Sequence, residues 1–262
     1  MVARQTLTLF VWVQILVPLP NKSPCDLITL LRLNGQSKYL YTKEGDVLNK
    51  IKTLQEVSEK FQNGQSLMVG GFLCVGTPEV LIDALIQKGV KDLTLIANDS
   101  GFPEKGVGRL IVNKQIRKII ASHVGTNKET GRQINAGEIE YDLVPQGTLI
   151  ERIRSTGAGL GGVLTPTGIG TLVEEGKQKI TVDGKQYLLE TALRADIALV
   201  HAWKADKFGN LVFRRASRNF NPIIAMAADL VIVAAEEIVE IGEIDPDMVM
   251  TPGSLVHMIV KA

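Results

Sequence analysis

The sequence of 262 residues contains few of the side chains that usually bind metals or form disulfides. Its three histidines are scattered without the spacing of metal ligands, and its two cysteines, Cys25 and Cys74, lie far apart. This cysteine usage favours a reducing, cytoplasmic compartment. Aromatic residues make up 5% of the chain and the net charge is +1, which gives no stacking or electrostatic argument for nucleic acid. We therefore expect no metal site, no disulfide and no nucleic-acid partner.

Familiar nucleophile and nucleotide motifs are missing as well. There is no Gly-x-Ser-x-Gly elbow, and no lysine follows the glycine-rich stretch at 70–76 as a P-loop requires. Residues 157–162 fit Gly-x-Gly-x-x-Gly, but a dinucleotide site needs a strand before this motif and a helix after it. Here a predicted helix precedes it and Thr-Pro-Thr-Gly follows at 165–168. We interpret 157–162 as a flexible or sharply folded loop near a ligand or a subunit contact.

The first part of the chain differs in character from the rest. An apolar run at 7–19 is shorter than the roughly 20 residues that span a membrane, and no Ala-x-Ala-like cleavage site follows it. After the first residue, no methionine occurs before Met68. Lys43-Glu44-Gly45 can be encoded by a bacterial ribosome-binding sequence, with Leu48 as a UUG start codon. One hypothesis is therefore that translation starts at Leu48 and that residues 1–47 are an extension upstream of the true start.

From residue 48 to residue 262 the sequence alternates short apolar runs with helix-forming stretches. Apolar runs predict buried strands at 67–69, 93–97 and 230–234, and further strands are predicted at 116–122, 139–144 and 196–203. Helices are predicted at 53–61, 79–87 and 148–154, the first with a capping box formed by Thr53 and Glu56. A hairpin is predicted at 179–189, where Asp183-Gly184 supplies a two-residue turn. We expect one α/β domain without internal repeats, in which helices flank a mostly parallel sheet and antiparallel hairpin strands are added.

The stretch from Gly70 to Glu79 is the strongest candidate site. It joins a predicted strand to a predicted helix, and Pro78 suits the first turn of that helix. A glycine-rich turn at a helix start allows backbone N–H groups to face an anion, and glycine permits close approach of the main chain to a ligand. A tight strand-to-helix turn without a ligand is the alternative.

Three further groups of polar residues stay open between a functional and a structural role. Asn98 and Asp99 follow the predicted strand 93–97, where open α/β sheets place ligand contacts, but an ordinary Asx turn is equally compatible. Gln146 either contacts a ligand or only begins a helix. An arginine cluster near Asn219 could meet an anionic nucleotide, a partner's carboxylates or only solvent. Its members are Arg214, Arg215 and Arg218.

The pattern Gly70-Gly71-Phe72 followed by Gly76-x-Pro78 belongs to a larger set of recognisable segments. The others lie at 97–99, 120–125, 144–149, 157–159, 165–168, 204–206 and 216–221. Together they resemble the α subunits of family I (3-oxoacid) coenzyme A transferases, and the resemblance covers nearly all of residues 49–262 but not 1–47. The same general fold is similar to that of sugar-phosphate isomerases and of ligand-sensing domains of transcription regulators, which are the alternatives.

The resemblance implies substrates, a partner and a site. Coenzyme A (CoA) would be a substrate, with no permanently bound cofactor, and would move between a short-chain acyl-CoA (acetoacetyl-, butyryl- or acetyl-CoA) and a free carboxylate such as acetate. The implied CoA-binding residues are Gly70, Gly71, Phe72, Leu73, Cys74, Val75 and Gly76.

The catalytic residue is expected outside this chain. In the family that the sequence resembles, a glutamate in a Ser-Glu-Asn-Gly motif of the β subunit is the nucleophile and carries a glutamyl-CoA thioester. Here Ser58-Glu59 is followed by Lys60-Phe61, so the motif is absent. The implied partner is therefore a CoA-transferase β subunit, in an α2β2 complex without a membrane association.

Overall fold

The computed structural model describes residues 28–33, 36–41 and 50–262, and it divides the chain into two units, Met1–Asn49 and Lys50–Ala262. In the first unit, strands β1 (Ile28–Leu33) and β2 (Gln36–Tyr41) pair antiparallel. The sequence does not predict this pair, because its apolar residues show no sustained alternation. The apolar run at 7–19 and the hypothetical start at Leu48 lie outside the described residues.

A mostly parallel sheet forms the centre of the second unit. Its strands lie in the order β13-β12-β10-β3-β4-β5-β6, and β11 pairs antiparallel with β10. The strands are β3 (Ser66–Val69), β4 (Leu93–Ile96), β5 (Ile116–Ala121), β6 (Glu140–Leu143), β10 (Ala195–Asp206), β11 (Leu211–Val212), β12 (Ala228–Val239) and β13 (Met258–Lys261). Leu67, Met68 and Val69 are consecutive and all buried, as expected for a central strand covered on both faces.

Helices cover both faces of this sheet. They are α1 (Leu54–Ser58), α2 (Glu79–Lys88), α3 (Gly108–Val112), α4 (Lys128–Asn135), α5 (Gln146–Gly157) and α6 (Asn221–Ile224). Val57, Leu85 and Leu110 bring α1, α2 and α3 to one buried cluster, whereas Leu149 and Ile224 bring α5 and α6 to a second. Burial of each such side chain stabilises the fold by roughly 1.5–3 kcal/mol. The predicted α/β architecture is confirmed.

A smaller antiparallel sheet is added to this layer structure. Its strands are β7 (Gly162–Thr165), β8 (Lys179–Val182) and β9 (Lys185–Thr191), in the order β7-β9-β8. Asp183 and Gly184 both have positive φ angles, +49° and +75°, which is the geometry of a type I′ hairpin turn. The predicted hairpin is therefore confirmed.

Several local predictions are confirmed and others need correction. The Thr53 hydroxyl accepts a hydrogen bond from the Glu56 N–H, and the Glu56 carboxylate accepts one from the Thr53 N–H, so the capping box is present. The sequence does not predict α3, α4, α6, β7 and β13. The segment 157–162 is only in part a loop, because α5 extends to Gly157 and β7 starts at Gly162. A helix before and a strand after is the reverse of a dinucleotide fingerprint, which confirms its rejection.

Candidate functional site

Three loops follow neighbouring parallel strands and meet at one edge of the main sheet. We name them the first loop (70–78, after β3), the second loop (97–107, after β4) and the third loop (122–127, after β5). The carboxyl edge of a parallel sheet is where α/β proteins bind ligands. Every candidate residue between 70 and 99 therefore lies at the edge where a site is expected.

The first loop is closed by a tight two-residue turn. The N–H of Phe72 donates to the Val75 carbonyl at 3.1 Å, and the N–H of Val75 donates to the Phe72 carbonyl at 2.9 Å. The central residues Leu73 and Cys74 have φ angles of +47° and +64°. Because two non-glycine residues in the left-handed region cost about 1–3 kcal/mol each, the surroundings must stabilise this turn.

Two polar side chains hydrogen-bond to the backbone of this turn. The N–H of Leu73 donates to the Asp99 carboxylate at 2.8 Å. Asn219 accepts from the N–H of Gly71 at 3.2 Å and donates to the Val75 carbonyl at 2.9 Å. These bonds fix the backbone at the start, the tip and the end of the turn, so the loop is a rigid element.

The glycines of the first loop are required by packing against the protein itself. A Cβ on Gly70 would overlap the carboxamide of Asn221, and a Cβ on Gly71, whose φ is +127°, would overlap the Thr77 hydroxyl. A Cβ on Gly76 would lie 2.9 Å from the Cα of Ser217. Close approach of a ligand was the reason expected from the sequence for these glycines, but packing within the protein requires them even without a ligand.

Few backbone N–H groups of the first loop are available to an anion. Between residues 70 and 76, the N–H groups of 70, 71, 72, 73 and 75 already donate within the protein. Within this described stretch, only those of Cys74 and Gly76 have no acceptor. Of the backbone N–H groups that the sequence suggested could face an anion, only two therefore remain available as donors.

Asn98 and Asp99 support the loops rather than facing solvent. Both side chains are buried, and the N–H of Gly101 donates to the Asp99 carboxylate at 2.9 Å in an Asx turn. The Asn98 amide also donates to Asp99, at 2.8 Å, and the Ser122 hydroxyl donates to the Asn98 carbonyl at 2.7 Å. The Asx turn, one of the two alternatives from the sequence, is therefore present in the structure. Gln146 is exposed and is the first residue of α5.

The thiol of Cys74 in the first loop lies in an environment that disfavours its thiolate form. Burial, together with the nearby negative charges of Asp99 and Glu79, raises the pKa of the Cys74 thiol. Its sulfur donates to the Lys105 carbonyl at 3.3 Å. Because the thiolate is the reactive form, a raised pKa makes Cys74 a poor nucleophile.

The carboxylate of Glu79 is also engaged. It accepts a hydrogen bond from the N–H of Gly106 at 3.2 Å and lies 3.6 Å from the guanidinium of Arg109. It therefore links the start of α2 to the second loop. Asp99 likewise accepts from the backbone N–H groups of Leu73 and Gly101, so the carboxylates of both residues hold loop backbone. In the described part of the chain, no group of three or more His, Cys, Asp or Glu residues is arranged to hold a metal.

The outer surface of the first loop is apolar and borders a basic segment. Phe72, Leu73 and Val75 are 45%, 39% and 51% exposed. Residues 214–218 follow the short strand β11, and Arg214 lies over the ring of Trp203 at 5.3 Å. An exposed apolar tip on a rigid turn can contact an apolar ligand segment or a partner protein.

A coenzyme A transferase family model matches residues 51–262. The chain is 57% identical over 213 residues to the acetate CoA-transferase subunit alpha of Escherichia coli K12, covering 81% of this chain and 97% of that protein. It is 48% identical over 213 residues to the acetoacetyl-CoA:acetate/butyrate CoA transferase alpha subunit of Clostridium acetobutylicum, covering 81% and 98%. The chain belongs to the coenzyme A transferase family.

Solved structures support the fold of this family. A glutaconate coenzyme A transferase from Acidaminococcus fermentans superposes with a TM-score of 0.73 at 21% identity, over 81% of this chain and 75% of that one. An acyl-CoA transferase from Escherichia coli O157:H7, solved as a thioester complex with CoA, gives 0.71 at 22% identity. That match covers 83% of this chain but 48% of the other, so this chain spans about half of that enzyme.

The predictions of family, fold and transferase class are confirmed by these matches. CoA is a substrate of the family, and the relatives are named as alpha subunits, which implies a beta partner. Within the described residues, no helix has both the length and the apolar character needed to cross a bilayer. The assignment of residues 70–76 to the CoA site stays a prediction.

Proposed function

We propose that this chain is the α subunit of a short-chain CoA-transferase that is active only with a separate β subunit. It would move CoA between acetoacetyl-, butyryl- or acetyl-CoA and a free carboxylate such as acetate. Two observations together support this proposal. The chain matches nearly the full length of proteins named as alpha subunits, and the side chains of Asp99, Glu79 and Cys74 beside its first loop take part in hydrogen bonds that hold the loops.

The nucleophile would be a glutamate of the β subunit. Its carboxylate attacks the thioester carbonyl of the acyl-CoA, the carbon–sulfur bond breaks, and an acyl–glutamyl anhydride and CoA thiolate result. The thiolate then attacks the glutamyl carbonyl, releasing the first acid and leaving a glutamyl-CoA thioester. The acceptor carboxylate repeats these steps in reverse and leaves as the new acyl-CoA. Covalent catalysis of this kind divides one exchange into easier steps and conserves the thioester.

The contribution of this chain would be one wall of the acyl-CoA site. We infer that the first loop, with Gly70, Gly71, Phe72, Leu73, Cys74, Val75 and Gly76, contacts the CoA. Its apolar tip suits the uncharged pantetheine arm, and the two N–H groups without acceptors suit a polar oxygen of the substrate. The bonds from Asp99 and Asn219 support this assignment, because a site fixed before binding loses less entropy when the ligand arrives.

The expected assembly is α2β2, in the cytoplasm, with no permanently bound cofactor. A sugar-phosphate isomerase or a ligand-sensing domain was the alternative from the sequence. Relatives at 48–57% identity that are named as CoA-transferase alpha subunits favour the transferase.

The test is reconstitution with the β subunit. The single chain and the co-expressed pair are assayed for acetyl-CoA formation from acetate with acetoacetyl-CoA or butyryl-CoA. We expect turnover by the pair and none by the single chain, with both subunits eluting together at the mass of an α2β2 complex. Turnover by the single chain, or an inactive pair, would contradict the proposal. Isomerisation of a sugar phosphate by the single chain would favour the alternative.

A further inference from the structure

The arginines of the described range 50–262 fall into two classes. Each arginine between 109 and 194 has a carboxylate oxygen within 4.0 Å; these are Arg109, Arg117, Arg132, Arg152, Arg154 and Arg194. In the same described range, Arg214, Arg215 and Arg218 have no carboxylate at this distance, and all are exposed. Three positive charges within five residues repel one another, and an anion bound among them would relieve this repulsion.

The three unpaired arginines flank the first loop. The Cα of Ser217 lies so close to Gly76 that only glycine fits there. Asn221 donates to the carbonyls of Gly76 at 2.9 Å and of Ser217 at 3.0 Å, and Asn219 donates to the Val75 carbonyl at 2.9 Å. The basic segment and the first loop therefore form one continuous surface at the edge of the sheet.

The basic segment is also held in place before any ligand arrives. The guanidinium of Arg214 lies 5.3 Å from the centre of the Trp203 ring, in a cation–π contact. Lys204 lies over the same ring and forms an ion pair with Glu237 at 3.1 Å, so this neighbouring carboxylate already has a cation. Arg215 has a φ of +52°, a left-handed conformation that a non-glycine residue adopts only when its surroundings require it.

We propose that Arg214, Arg215 and Arg218 bind the phosphate groups of the acyl-CoA substrate. The proposal rests on the proposed function, because it takes CoA as the ligand. CoA carries a diphosphate and a 3′-phosphate at its nucleotide end, and a neutral pantetheine arm leads from them to the thioester. The planar guanidinium group donates paired hydrogen bonds to phosphate oxygens. The apolar tip of the first loop then contacts the arm, and the arginines contact the anionic end.

The experiment compares two thioesters on the αβ complex. Arg215→Gln, Arg218→Gln and the triple variant with Arg214→Gln are assayed with acetoacetyl-CoA and with acetoacetyl-pantetheine, which lacks all phosphates. We expect each single variant to lower kcat/KM for the CoA substrate about tenfold, through KM, and the triple variant by a further factor of about ten. Activity with the pantetheine substrate should stay unchanged.

Arg194→Gln is the matched control. Arg194 is exposed, pairs with Asp229, and precedes β10 at the opposite end of the strand from the first loop. It should change neither substrate's kinetics. Added salt should raise KM for acetoacetyl-CoA in the wild-type complex and have a weaker effect in the triple variant, because fewer charged contacts remain to be screened.

Three outcomes would overturn the proposal. Equal losses on both thioesters would mean that the arginines act without the phosphates. Unchanged kinetics would mean that they are only a solvated surface. Loss of co-purification with the β subunit would mean that they meet carboxylates of the partner. If the wild-type pair has no transfer activity, the proposed function fails. Calorimetric titration of the complex with CoA and with pantetheine then decides the arginine assignment separately.

Discussion

The first and second loops use the same sequence pattern for different tasks. Both read Gly-Phe-x-x-x-Gly, at 71–76 and at 101–106, and both follow neighbouring parallel strands. In both, the phenylalanine pairs through its backbone with the residue three positions later: Phe72 with Val75, and Phe102 with Lys105. This recurrence of six residues is visible in the sequence but is far shorter than a structural repeat.

The two loops differ in their central residues and in what they expose. In the first loop, Leu73 and Cys74 have positive φ angles, whereas the corresponding residues of the second loop, Pro103 and Glu104, do not. The first loop exposes apolar side chains, and the second exposes the charged Glu104 and Lys105. The carbonyl of Lys105 accepts a hydrogen bond from the Cys74 thiol, so the second loop supports the first. Two loops with the same backbone pairing can thus differ in role: one presents a surface to a ligand, and the other supports it.

The largest effect is expected where the first loop contacts the protein backbone. Gly76→Ala places a Cβ 2.9 Å from the Cα of Ser217, and Gly76 also has a φ of +77°. We expect a loss of about 3–5 kcal/mol in unfolding free energy, from the strained φ and the overlap together. Transferase activity of the reconstituted complex should fall below detection. Urea denaturation of the single chain and assays of the complex provide the measurements.

Gly89→Ala is the control for the conformational part of this loss. Gly89 has a similar φ of +70°, but nothing lies within 4 Å of a Cβ there. Its substitution should cost about 1–3 kcal/mol, from the left-handed conformation alone, and should leave the kinetics unchanged. Equal losses for the two variants would show that contact with Ser217 does not hold the first loop.

A second comparison removes one tether from each loop. Asn219→Ala removes the acceptor of the Gly71 N–H and the donor to the Val75 carbonyl. We expect a loss of about 1–3 kcal/mol and a rise of roughly tenfold in KM for acyl-CoA, since the loop would no longer be fixed. Thr126→Ala removes the bond to the Gly101 carbonyl at 2.8 Å and should cost about 0.5–1.5 kcal/mol without a kinetic effect. Kinetic losses of equal size would place both loops at the substrate.

A third comparison changes the exposed tips without changing the turns. Val75→Ser replaces an apolar side chain that is 51% exposed in the first loop. Unfolding free energy should change by less than about 0.5 kcal/mol, as for most surface substitutions, while KM for acyl-CoA rises roughly threefold to tenfold. Glu104→Ser at the tip of the second loop should change neither quantity. If both variants have the steady-state kinetics of the wild type, the first loop is not part of the CoA site.

The sequence predicted the elements that local patterns specify. Largely apolar runs identified β3 and β4, and Asp183-Gly184 located the hairpin, because its turn type needs two residues that tolerate positive φ. The strand β13 (Met258–Lys261) was missed because its burial depends on pairing with β12, a contact that the local sequence does not specify.

The sequence indicated the position of the candidate site but not the structural roles of its residues. The glycines at 70, 71 and 76 marked the first loop correctly as a special turn. Their neighbours in space, Asn219 and Asn221, are more than 140 residues away in the chain, so packing against them was invisible. A signal did exist for these asparagines: they lie in the segment 216–221 that matched the family, although nothing in their type separates tethering from binding.

The smallest effect is expected from the thiol of the first loop. Burial raises the pKa of Cys74, so little thiolate is present near pH 7, and labelling by iodoacetamide should be slow in the native chain and should keep accelerating as the pH rises above the ordinary thiol pKa. A Cys25→Ser background isolates the signal, and the urea-unfolded chain gives the rate of an accessible thiol. Cys74→Ser should keep transferase activity within about threefold, because a hydroxyl can still donate to the Lys105 carbonyl. Native labelling as fast as in the unfolded chain, or an inactive Cys74→Ser complex, would contradict a supporting role for the thiol and place it at the substrate.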